Sequence, residues 1–93
     1  TFAQLAEVGR WPRGIAYGNG SLWVTDCADA TVTQVDPSTG DVVGDPMLIG
    51  TPAPEDLEEA EEFSCLGEAI VHGSTLWVCA IADGTVIPVD LGP

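Results

Sequence analysis

The sequence predicts an all-β chain that uses one antiparallel unit twice. "SLWVTDCADATVTQVD" at residues 21–36 returns as "TLWVCAIADGTVIPVD" at residues 75–90. Within the unit, "GIAYGNGSLWV" places two short apolar runs around Asn19-Gly20, a pair that tolerates positive φ and is the strongest short hairpin signal. Apolar residues make up 45% of the chain and mean hydropathy is +0.22, so the sequence is built to pack in spite of a formal charge of -13.

The copies align at an offset of 54, which matches Leu22 with Leu76, Trp23 with Trp77, Val24 with Val78, Ala28 with Ala82 and Asp29 with Asp83. It goes on to match Thr31 with Thr85, Val32 with Val86, Val35 with Val89 and Asp36 with Asp90, nine identities in fifteen positions. Repetition at this period predicts units that each bury a face only against a neighbour.

Taken in order, the first unit holds four strands. "GIAYG" and "SLWV" form strands A and B about the Asn19-Gly20 turn, and "TVTQVD" follows the polar loop "DCADA" as strand C. "DPSTGD" then supplies Pro37 early in a turn and Gly40 where a left-handed residue is needed, before "VVGDPMLIG" as strand D. Four short antiparallel strands without an internal helix describe a propeller blade. "FAQLAEVG" takes the place before strand A that "DPMLIG" takes before the second unit, so the strand order reads D-ABCD-ABC. The 93 residues are therefore expected to be one module: an outer strand about 2–8, blade 1 about 12–50, an acidic insertion about 51–66 and a partial blade 2 about 67–90. Two blades cannot close a ring, so the fastening is expected between chains or with a remainder of this one. Thr1 opens the chain without an initiator Met, which reads as a chain that is processed, excised or incompletely known.

"GIAYGNGSLWVTD", "ATVTQVDPSTGDVV" and the returning "LWV", "GTV" and "VD" resemble the bacterial YVTN/YncE-type, virginiamycin B lyase-like β-propeller repeats, over about residues 12–50 and 67–90. The resemblance implies the blade fold and no particular activity, since such folds host unrelated functions. Lyases of that family use a His-centred, metal-assisted site drawn from several blades. The only imidazole here, His72, stands in a hairpin in place of Gly18, without a partner acid or base, and reads as a turn residue. The serines lack an adjacent His and a G-x-S-x-G elbow. No catalytic residue, cofactor or metal is expected, and the chain reads as non-enzymatic.

Other residues bear on partners. Arg10 and Arg13 are the only cationic side chains, which argues against nucleic acid and anionic membranes, and no apolar run reaches about 20 residues. In the insertion, Pro54 suits a first helical turn, and Glu55, Asp56, Glu58 and Glu59 suit its positive end while Leu57, Ala60 and Phe63 share a side; with Glu61 and Glu62, six of the eight residues 55–62 are acidic. This predicts a short acidic helix that is either a solvated face or a docking site for a basic protein or cations. Asp26 and Asp29 lie in the first B-to-C loop, but the second copy has Ala80 and Asp83, so turn capping is favoured over calcium binding. Trp23 and Trp77 are expected to fill the wedge between blades, and Trp11, outside the repeat register, is the better exposed contact.

Cys27, Cys65 and Cys79 lack CxxC spacing, which disfavours zinc. The three leave either one bridge and an odd thiol or three buried thiols; B-to-C and D-to-A connections of a propeller emerge on the same face, which favours pairing Cys27 with Cys65 and leaving Cys79 a thiol, with Cys65 to Cys79 as the competitor. A bridge places the protein in an extracytoplasmic compartment: secreted, cell-surface or periplasmic. The sequence thus predicts an assembly or scaffold module that forms a head-to-tail homo-oligomer, ring or filament. Phe2, Leu5 and Val8 of one chain would add to Val86 and Val89 of another. The alternatives are a fragment of a larger lyase-like propeller enzyme or binding protein, and an acidic module that binds a partner or cations.

Overall fold

A computed structural model describes residues 8–54 and 63–92. Among them there is no helix, and seven strands form two antiparallel sheets. The first sheet orders β1 (Pro12–Gly18), β2 (Ser21–Asp26), β3 (Thr31–Val35) and β4 (Met47–Leu48). The second orders β5 (Leu66–His72), β6 (Thr75–Ala80) and β7 (Thr85–Asp90). The predicted acidic helix, at residues 55–62, lies outside the described residues, as does the N-terminal strand over residues 2–7. Val8 is described and belongs to no strand.

The predicted turns hold the hairpins. Asn19 and Gly20 take φ of 51° and 82° between β1 and β2, both in the left-handed region. After β3, Gly40 has φ 78°, and the Asp36 carbonyl and carboxylate accept from the amides of Gly40 and Ser38, each at 2.8 Å. Strand D is shorter than the sequence predicts. Only Met47 and Leu48 pair, with Val32 and Thr31, and Val35 bridges Val42 alone. Gly44 at φ 69° bends the intervening chain and Pro46 has no N–H to give a ladder.

One face of each sheet makes the core. Alternation along β6 buries Leu76, Val78 and Ala80, and these meet Trp23, Ala30, Val32 and Leu66 in one cluster. A fully buried side chain such as Leu66 or Leu76 contributes roughly 1.5–3 kcal/mol relative to exposure. Across the sheets, Thr25 Oγ1 donates to the Gly67 carbonyl at 2.5 Å. β1 also runs beside β5. A Cβ on Gly14 would lie 2.5 Å from the Gly67 carbonyl oxygen, and one on Gly18 would lie 2.5 Å from Val71 Cβ. Residues 14 and 18 thus meet 67 and 71, so the strands share a direction, and glycine is what lets them approach.

The same backbone bonds recur 54 residues on. Cys27 donates to the Trp11 carbonyl (2.8 Å) and Ile81 to that of Cys65 (2.9 Å). Ala28 donates to Arg10 (3.2 Å) and Ala82 to Ser64 (3.0 Å); Ala30 donates to Asp26 and Gly84 to Ala80, both at 3.0 Å. Trp11 and Cys65 share positive φ, 58° and 47°, and both first strands carry a register shift near their start. Trp11 therefore has a structural counterpart in Cys65, although residue identity gives no sign of it.

Candidate functional site

The best-connected polar site lies where the β2–β3 loop meets the segments that enter β1 and β5. Cys27 and Cys65 form a disulfide there, 38 residues apart in sequence, and Cys79 is an exposed free thiol. The other Cys65 pairing, with Cys79, is absent. Arg10 ties three segments together. Its amide donates to Asp29 Oδ2 (2.7 Å) and its Nε to Asp29 Oδ1 (2.5 Å), while Nη2 and Nη1 donate to the carbonyls of Ala53 (2.7 Å) and Pro54 (3.3 Å). In the counterpart position Ser64 Oγ donates to Asp83 Oδ2 and accepts from the Thr51 amide, each at 2.8 Å.

Asp26 is fully buried under this strap. Thr31 and Thr33 hydroxyls donate to Oδ2 at 2.9 and 3.1 Å, and Oδ1 has no partner. Burial pushes its carboxyl above the ordinary range, against the pull of the two threonines and the Gly9 amide, and the nearby Asp29 charge adds to the rise. Asp29 is held below that range, first by the Arg10 side chain and then by the Arg10 amide. With Asp29 committed to Arg10 and Gly9 packed against both carboxyls, this corner is built to hold segments together.

The remaining predicted residues are scattered. His72 ends β5, exposed, opposite Thr75. Glu55, Asp56, Glu58, Glu59, Glu61 and Glu62, with Phe2 and Leu5, lie outside the described residues. Among the described residues no group of three or more His, Cys, Asp or Glu could hold a metal ion. Val89 is half-buried, whereas Val86 is 60% exposed. Trp23 is in the core with Nε1 donating to the Gly18 carbonyl (2.9 Å), but Trp77, its counterpart, is 41% exposed. Trp77 does not fill a wedge in this chain because no further sheet covers its face among the described residues. Trp11 is exposed, with its ring edge-on to Phe63 at 6.5 Å.

Sequence reasoning did not single out the uncovered face of the second sheet. Glu68, Ile70, Trp77, Cys79 and Val86 line a shallow depression on it. The signal was available, because Ile70, Trp77, Cys79 and Val86 are apolar on the face that β5, β6 and β7 leave unburied. The outer edge of β7 is also without a strand partner among the described residues. Pro88 lies in β7 opposite Trp77. Its counterpart Gln34 accepts from the Val43 amide on the outer side of β3, so the N–H that Pro88 lacks belongs to that outer edge and not to the β6 ladder.

Fold and site define an all-β, disulfide-linked protein of two antiparallel sheets. No protein-family model, curated protein or solved structure matches the chain.

Proposed function

We propose that this chain is a non-enzymatic assembly module built from two β-propeller-type blades of the YVTN/YncE kind, and that copies join head to tail by strand addition. One observation carries the reading. The outer edge of β3 takes β4 at Thr31 and Val32, whereas at the counterparts Thr85 and Val86 no strand pairs with β7 among the described residues. An open edge with apolar flanks is a template for another strand.

The connection also supports the N-terminal segment as that strand. β4 pairs in the first sheet, and the chain then leads into the second. The segment that leads into β1 would, by the same rule, pair in the sheet before it, which is the second sheet of a neighbouring copy. Pro88 removes one donor from the edge and limits the added ladder to the Thr85–Val86 end. The disulfide supports an oxidising, extracytoplasmic setting. Deletion of residues 1–8 tests the reading by size-exclusion chromatography with light scattering. Conversion to monomer or precipitate is expected, and an unchanged oligomer overturns it.

A further inference from the structure

The 54-residue correspondence relates whole faces as well as hydrogen bonds. The first sheet turns Ala16, Trp23 and Val32 towards the second sheet. The counterparts Ile70, Trp77 and Val86 are 65, 41 and 60% exposed. Conversely, the second sheet turns Ala69, Val71, Leu76 and Val78 into the core, and of their counterparts Ile15 and Tyr17 are 62 and 67% exposed. The molecule therefore presents on its two sides the two halves of the contact that it holds in its middle.

The position of the disulfide follows the same rule. Cys27 corresponds to Ile81 and Cys65 to Trp11, and these are 50 and 52% exposed. A second copy stacked in the internal register brings Trp11 of one chain to Ile81 of the other, an apolar contact where the internal junction has a covalent bond. We infer that the uncovered face of the second sheet, centred on Trp77 and Ile70, docks the first sheet of a second copy through its Ile15, Tyr17 and Trp11. This rests on the assembly reading and adds a face contact to the strand addition proposed there. Both contacts select the same neighbour.

The junction is looser than the internal one near β1. Gly14 and Gly18 admit β5 at contact distance, but their counterparts are Glu68 and His72, whose side chains keep the neighbour's β1 further off. Trp77 on β6 and Val86 on β7 then carry the contact, and association is reversible.

A complementation experiment tests this with the full chain. Trp77→Asp and Tyr17→Asp are each expected to abolish concentration-dependent association in light scattering. Mixed together they form a dimer and nothing larger, because one chain keeps an intact first-sheet face and the other an intact second-sheet face. Loss in Trp77→Asp alone indicates a face that pairs with itself and overturns the proposal, as does association unaffected by either change, failure of the mixture to dimerise, or a wild-type monomer at every concentration. Should circular dichroism show that an Asp variant does not fold, Trp77→Thr and Tyr17→Thr, which suit strands, carry the same expectations. If the strand-addition reading fails alone, deletion of residues 1–8 leaves the oligomer intact while the Asp variants still break it. If the face contact fails alone, the reverse pattern appears.

Discussion

Reduction of the Cys27–Cys65 bond is the most direct perturbation of the corner that joins the two sheets. The bond closes a loop of 38 residues. Chain-entropy arguments give a cross-link of that span about 4 kcal/mol, through the unfolded states it removes. A domain of this size has a total stability of roughly 5–14 kcal/mol, so the bond is a large share of it. At roughly 4–8 °C per kcal/mol for small domains, the melting temperature should fall by about 15–30 °C. The assay is calorimetric or circular-dichroism melting of Cys79→Ser with and without a thiol-free reductant, beside a Cys27→Ser, Cys65→Ser, Cys79→Ser variant. The reduced protein and the triple variant should melt together. An unchanged melting temperature on reduction refutes the reasoning, as does non-reducing peptide mapping of the wild type that links Cys65 to Cys79.

Two further outcomes follow from the same interior. Gly14→Ala puts a methyl 2.5 Å from a backbone carbonyl that cannot rotate away, so β1 must leave β5 and stability should fall by about 2 kcal/mol, read by denaturant melts; a neutral change means the strands are not in contact. Asp26 has a raised carboxyl pKa, so its contribution is fully present below the ordinary carboxylate value of about 3.9 and is lost as pH rises through the folded value. Asp29 has the opposite sign, and its contribution falls away as pH drops through its lowered value. Asp26→Asn keeps an acceptor for the threonines and should gain on wild type as pH rises above 4, in melts from pH 3 to 7; a constant difference across that range contradicts the assignment.

Strands and turns were legible because their signals are local. Asn19-Gly20 needs only its own φ preference to specify a hairpin, whereas "TLWVCA" is apolar on both faces, so its strand was legible but not that Leu76, Val78 and Ala80 are buried while Trp77 and Cys79 are exposed. The disulfide was legible only through topology, since the choice between two Cys65 partners depends on which loops share an end of the fold. Strand D was overestimated because apolar residues at 42, 43, 48 and 49 look continuous, while Gly44 and Pro46 break the ladder between them. The strap over Asp26 was not legible. Arg10 and Ser64 occupy matching backbone positions and make matching bonds to Asp29 and Asp83, yet the side chains have nothing chemical in common that an alignment would match.

In the assembly we propose, that divergence separates a permanent junction from a reversible one. Where the two sheets meet inside the chain, the closest positions hold Gly14 and Gly18 against β5, Thr25 bonded to the Gly67 carbonyl, and a disulfide. The counterparts on the open side are Glu68, His72, Cys79 and Ile81. Each loses something specific: two close approaches, a hydroxyl donor and a covalent bond. What both junctions keep is the tryptophan, Trp23 in one and Trp77 in the other, and an aromatic ring of that size buries enough apolar area to drive association without a close backbone fit. In the assembly we propose, one backbone plan thus yields a contact that cannot come apart under oxidising conditions and another that exchanges with concentration, the difference residing in Glu68, His72, Cys79, Ile81 and Trp11.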